Sequence, residues 1–242
     1  MKNTWGFLCA ILLTSIVVLP SCNKDDSFVA DFKYEYFPTD SGRYVIYDVD
    51  SIIFNSFFTP PLKDTIRFQV REVYGETFID GEGNRLRRIE RFRRNDTIGN
   101  WGLTDVWYAG IINNQAIWVE ENLRFLKFVF PPRATSKWNG NQYIEITEGI
   151  EFMADWEYTM SELDVPKSIN SLNFDSTATV ILAYDTASKI ERITATETYA
   201  KGVGLIYKDW AWLRKQNVIA QFPQGTEDGF IVRMWVKEYG NL

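Results

Sequence analysis

Apolar and polar residues alternate with a period of two along most of this chain, and that rhythm restricts its folding more than any other feature. Phe230, Val232, Met234 and Val236 alternate with Ile231, Arg233, Trp235 and Lys237. Ile66, Phe68 and Val70 alternate with Arg67, Gln69 and Arg71, and Val203, Leu205 and Tyr207 with Gly204, Ile206 and Lys208. Successive side chains on a strand point to opposite faces, so this spacing buries one face of a sheet. Further strands are predicted over 43–54, 104–111, 115–121, 123–130, 143–146, 151–159, 177–184 and 189–199. No segment keeps a 3.6-residue period for two turns, so the fold predicted is all-β.

Turn chemistry separates the segments. Asp80-Gly81-Glu82-Gly83-Asn84 has the composition of a hairpin tip, Asn113-Asn114 divides two strand patterns, and Pro131-Pro132 ends another. Pairing Phe78 with Leu86 would set Glu76 opposite Arg88 as a cross-strand charge pair. The stretch 133–142 is expected to be a long loop. Strands such as 123–130 are apolar on both faces, so a flat single layer would leave one face wet. The expected architecture is a long antiparallel meander in one domain, coiled into a curved open barrel or stacked as a two-sheet sandwich, with the barrel preferred. No linker or low-complexity tract divides residues 33–242, which are predicted to form that domain.

The amino terminus reads as a leader. Lys2 precedes an uncharged apolar run from Phe7 to Leu19, too short for the roughly 20 residues that span a bilayer. The run ends in Leu19-Pro20-Ser21-Cys22, which resembles the lipobox of bacterial lipoproteins. The resemblance implies cleavage of residues 1–21 and acylation of Cys22 with diacylglyceryl and further fatty acyl chains such as palmitate. Losing Lys2 with the leader would move the formal charge from −6 to −7. Lys24, Asp25 and Asp26 follow and resemble the export signal of Bacteroidota-type surface lipoproteins. That resemblance implies a protein anchored in the outer membrane and facing the cell surface, with 22–32 as lipidated cysteine and charged tether. Multiple acyl chains make such anchorage effectively permanent, because each buried methylene contributes about 0.8 kcal/mol.

The chain contains no histidine, and its only cysteine besides Cys22, Cys9, lies in the leader. Histidine-activated nucleophiles, thiol catalysis and disulfides are therefore outside its means. Glu145, Glu148 and Glu151 are spaced by three, which places neighbours on opposite faces of a strand and cannot make a glycosidase pair. Gly202-Val203-Gly204 has no following helix to form a phosphate cradle. Asp80, Glu82 and Asn84 begin like a calcium loop, but Arg85 and Arg91 stand where glycine and the bidentate glutamate belong. No enzymatic activity, cofactor or metal is expected, and the acidic balance argues against nucleic acid.

Two surpluses remain. Arg85, Arg87, Arg88, Arg91, Arg93 and Arg94 crowd one strand, with Arg85, Arg87, Arg91 and Arg93 sharing a face around Ile89. Pairing with acidic neighbours and stem packing explain most of these arginines. Aromatic residues make up 16% of the chain, and some lie among polar side chains. Trp235 and Tyr239 are expected on the face bearing Arg233 and Lys237, Trp210 and Trp212 on that of Lys208 and Arg214, and Trp138 in a polar loop. These five aromatics, with Arg91 and Arg93, form the candidate contact surface.

Tyr36-Phe37-Pro38-Thr39, Tyr47-Asp48-Val49-Asp50-Ser51-Ile52, Val106-Trp107-Tyr108-Ala109 and Tyr199-Ala200-Lys201-Gly202-Val203-Gly204-Leu205 resemble phrases in a group of Bacteroidota-type lipoproteins without an assigned activity. The resemblance implies location and a single domain, and brings no catalytic residue. The role expected first is a non-enzymatic interaction module, such as an accessory subunit of an envelope assembly, secretion or uptake complex. It would be held to the membrane by its lipid and paired with an outer-membrane protein. The alternatives are a lipid or lipoprotein carrier with an apolar cavity, as in LolA-like or lipocalin-like folds, and a glycan-binding surface lipoprotein.

Overall fold

The structure, a computed structural model, describes residues 30–59, 62–95, 98–154 and 156–242. The leader, Cys22, Lys24, Asp25 and Asp26 lie outside the described residues. One folded body runs from Asp31 to Leu242.

Tight turns bring the alternating segments back on one another. Asn113 and Asn114 adopt φ of 49° and 62°, and Glu121 and Asn122 adopt 49° and 63°, the left-handed pair that two-residue hairpins use. The strands are β1 (Arg43–Asn55), β2 (Leu62–Ile79), β3 (Arg85–Arg94), β4 (Gly102–Ile112), β5 (Gln115–Glu120) and β6 (Leu123–Val129) in the first half. The second half holds β7 (Lys137–Asn139), β8 (Glu157–Ile169), β9 (Leu172–Asp185), β10 (Glu191–Ala200), β11 (Gly204–Arg214) and β12 (Asp228–Asn241). Among the described residues these twelve strands make one antiparallel sheet in the order β6-β5-β4-β3-β2-β1-β12-β11-β10-β9-β8-β7. Helix is limited there to two three-residue 3-10 turns, Tyr34–Tyr36 and Glu151–Met153. The expected all-β meander is therefore observed, and coiling into a nearly closed barrel gives the apolar face its own interior.

Strands that follow one another in the chain pair throughout, except β6 and β7, while the first and last strands join through Arg43↔Asn241 to Phe54↔Gly229. The edges β6 and β7 meet at Leu126. Its N–H donates to Gly140 O at 2.8 Å, and its carbonyl accepts from the indole of Trp138 at 2.9 Å. A Cβ at Gly140 would lie 2.2 Å from the Tyr158 ring, so the close approach at this seam requires glycine.

Several local expectations are corrected. Residues 143–146 are irregular, and 151–159 opens with a 3-10 turn before β8 begins at Glu157. The expected loop 133–142 contains β7. The half of β8 beyond residue 159 was not expected. It carries Pro166 within the last of three register shifts, between Val165 and Lys167, and proline within a sheet belongs at such bulges. Phe78 does pair with Leu86, but a bulge between Tyr74 and Thr77 disturbs the ladder below it, and Arg88 pairs with Glu90 at 3.1 Å.

Candidate functional site

The segment preceding β1 closes one end of the barrel. Tyr36 is fully enclosed, and its hydroxyl lies 2.8 Å from Asp164 Oδ1, to which it donates, and from Ser176 Oγ. Lys33 pairs with Asp164, Gly202 N–H donates to Glu35 O at 2.8 Å, and Tyr34 hydroxyl donates to Asn114 at 2.5 Å. Phe37 meets Trp118 edge-on at 6.1 Å, and Arg87 donates to Thr39 O at 2.7 Å. Burial disfavours a charged Asp164, but hydrogen bonds from Lys33, Tyr36, Ser176 and Lys201 outweigh it and hold its carboxyl below the ordinary 3.8. The hydroxyl of Tyr36 is pushed up to about 12, chiefly by burial.

The opposite end is open. A cavity of about 860 Å³ lies there, walled by Trp107, Trp210, Trp212, Phe152, Phe230 and Leu123, with Arg91, Glu120, Lys208 and Met234 toward the floor. This volume falls within the range of about 300–1,000 Å³ common for small-molecule sites. Phe152 stacks on Trp212 at 4.8 Å, and Trp210 meets Phe230 edge-on at 5.4 Å. Trp212 is further fixed by its indole N–H, which donates to Glu191 at 2.8 Å. Loops on this rim carry exposed apolar side chains, with Phe57 89% and Ile219 87% exposed.

Between the two ends lies a charged layer. Arg91, Lys127 and Lys208 face Glu72, Glu120 and Glu197 around a small chamber of about 50 Å³. Lys127 Nζ donates to Glu197 Oε1 at 2.9 Å, Tyr199 hydroxyl donates to Glu197 Oε2, and Lys208 stands 3.6 Å from Glu197. Arg91 lies 3.2 Å from Glu72 and 3.7 Å from Asp105, with its guanidinium 3.6 Å from the centre of the Trp107 ring. Burial alone would lower Lys127, but the charge of Glu197, then of Glu120, holds it above 10.5. Burial alone would raise Glu197, but the charges of Lys127 and Lys208 hold it below 4.5. Glu72 goes the other way, since its burial outweighs the neighbouring Arg91 and raises it above 4.5.

The candidate contact residues divide between inside and outside. Arg91 belongs to the interior rather than the outer surface. Arg93 covers the Phe68 ring at 3.8 Å. Trp210 and Trp212 line the mouth. Trp138 is half-buried at the barrel seam, where its indole is committed to Leu126, and not in a free loop. Trp235 and Tyr239 do not share a face. A register shift between Ile46 and Tyr47 pairs Val45 with Tyr239 and Asp48 with Trp235, and residues three apart on β1 point oppositely.

The list of contact residues omitted Glu72, Lys127, Glu197 and Lys208. Glu197 occupies an inward place in the series Ile193, Ala195, Glu197, Tyr199, and Glu72 does so after Phe68 and Val70. Lys127 is the one charged residue in 125–130 and is the extra residue of a bulge, because Ile117 pairs with Leu126 and Ala116 with Phe128. A charge at a core position of the two-residue rhythm is the signal that would have found them.

Fold and cavity together define an up-and-down antiparallel barrel with one plugged end, a charged middle layer and an aromatic mouth. No protein-family model and no curated protein matches the chain. Among solved structures it is similar to the crystal structure of a "putative lipoprotein" from Parabacteroides distasonis. The TM-score is 0.39 at 9% identity, over 85% of this chain and 98% of that one. A likeness at this level defines neither a shared family nor a shared function.

Proposed function

We propose that the protein is a lipid-anchored, non-enzymatic binding barrel of the outer membrane that holds or carries an amphiphilic ligand at the cell surface. The carrying observation is the mouth of about 860 Å³, whose wall is largely aromatic and whose cations, Arg91 and Lys208, lie toward the floor. Such a gradient suits a molecule with an apolar body and a polar end. The lipobox-like Leu19-Pro20-Ser21-Cys22 and the Lys24-Asp25-Asp26 that follows support the anchorage and the surface location. This reading favours the carrier over the general interaction module. The exposed Phe57 and Ile219 on the rim still support an apolar partner surface for transfer.

The test is native mass spectrometry of the full mature chain carrying Cys22→Ser, purified without detergent. A retained mass of a few hundred daltons that is released by organic extraction is expected. An empty protein that also fails to take up added dodecanoate or dodecanol would exclude the carrier.

A further inference from the structure

Among the described residues, the buried side-chain polar atoms left without a partner at the floor are donors. Trp210 Nε1 and Arg91 Nε are buried without a hydrogen-bond partner among the described residues, although Arg91 Nε stands 3.2 Å from Glu72 in poor alignment. The ammonium of Lys208 reaches Glu197 only at 3.6 Å, beyond hydrogen-bond range. All three residues line the mouth cavity, where the acids Glu121 and Asp228 are held by Trp107 and Arg214. The acids beside them are engaged. Glu197 accepts from Lys127 on one oxygen and from Tyr199 on the other, and Glu120 accepts from the Trp118 indole at 3.1 Å. Buried donors without acceptors are unfavourable, so an acceptor brought by a ligand would be favoured there.

The upward shift of Glu72 moves the floor away from charge balance and toward positive.

We infer that the mouth takes an amphiphile with a carboxylate head, seated against Arg91, Lys208 and Trp210, and an aliphatic body lying along the aromatic wall. This inference rests on the binding-barrel reading and adds the class of ligand. The head receives charge-assisted hydrogen bonds from the two cations and one from the indole, and the tail replaces water against Trp212, Phe152 and Phe230.

The experiment uses the full mature chain carrying Cys22→Ser and follows quenching of tryptophan fluorescence by 12-bromododecanoate and 12-bromododecanol. Dodecyltrimethylammonium serves as competitor. The acid should bind about tenfold tighter than the alcohol, as expected for a charge-assisted contact. Lys208→Met should bring the ratio of acid to alcohol affinity to about one in a protein that still folds, because Glu197 keeps Lys127 and Tyr199. Trp210→Phe, which keeps the ring and removes the donor, should reduce the preference about threefold. Equal binding of acid and alcohol overturns the carboxylate and leaves the binding barrel standing. So does tighter binding of the ammonium compound, or a Lys208→Met protein that still prefers the acid. Absence of binding by every probe overturns both.

Discussion

At the plugged end Tyr36 has no exposed surface, and its ring stacks on Phe128 at 6.2 Å while its hydroxyl is anchored by Asp164 and Ser176. At the mouth Trp210 and Trp212 are half-buried and pack against other rings of the wall, with the Lys208 ammonium 5.1 Å from the centre of the Trp210 ring and the Arg214 guanidinium 4.7 Å from that of Trp212. Both ends are rich in aromatic residues, so aromatic content does not distinguish core from site. What distinguishes Tyr36 from Trp210 is whether the polar atom of the ring is satisfied by the fold. The hydroxyl of Tyr36 has partners from β8 and β9, whereas the indole N–H of Trp210 has none among the described residues. The same contrast separates the tight turns 113–114 and 201–203, which meet the amino-terminal segment, from the long connections 140–156 and 215–227 around the mouth. Stability is therefore concentrated at one end and accessible apolar surface at the other.

The widest gap between the ends should appear in matched truncations. Tyr36→Ala should lower unfolding free energy by about 4 kcal/mol in urea denaturation, as full burial of a large ring implies. If it costs no more than a truncation at the mouth, the contrast fails. Next comes the charged layer between them. Glu197→Gln leaves buried Lys127 without its counter-charge and should cost about 3 kcal/mol. The double variant Lys127→Met/Glu197→Gln should recover most of that loss, since removing both charges also removes their desolvation. A double variant as unstable as the single one would make the layer a fixed structural need.

Trp212→Ala should cost only about 1–2 kcal/mol, because the side chain is half-buried and its packing is confined to the wall. It should nevertheless weaken binding of an aliphatic probe more than tenfold, which fluorescence titration can read. The smallest effect belongs to Asp164→Asn. Asp164 is 40% exposed, and solvent screening holds the loss below about 1 kcal/mol. Its signature is in pH. A carboxyl held below 3.8 contributes stability above that value and loses it as pH falls through its lower folded value. The native protein should therefore release protection of the Lys33–Tyr36 amides in acid, by hydrogen exchange, and Asp164→Asn should show no such acid step. Asparagine suits the position because residue 164 has φ of 58°, which asparagine tolerates.

How much of this could be read in advance differs by feature. The strands of residues 43–54, 104–111, 177–184 and 189–199 follow their alternation closely, because one face of each is committed to the interior. Strand β8 hid behind Pro166 and its bulges, and β7 is three residues whose pairing depends on a partner brought by the fold. Trp210 and Trp212 were legible as aromatics among charged side chains, but not that their face lines a cavity. Tyr239 was misplaced relative to Trp235 by one bulged residue, since a single insertion reverses the alternation beyond it.

By itself the sequence determined strand type, the antiparallel connections and the lack of histidine and thiol chemistry in the body. Those follow from local periodicity, turn residues and composition, which need no partner. Only the tertiary structure decided between barrel and sandwich, placed the seam at Leu126 and gathered Glu72, Arg91, Lys127, Glu197 and Lys208 into one layer. Those charges come from five strands, and their meeting depends on register and curvature summed around the whole sheet, which no local window contains.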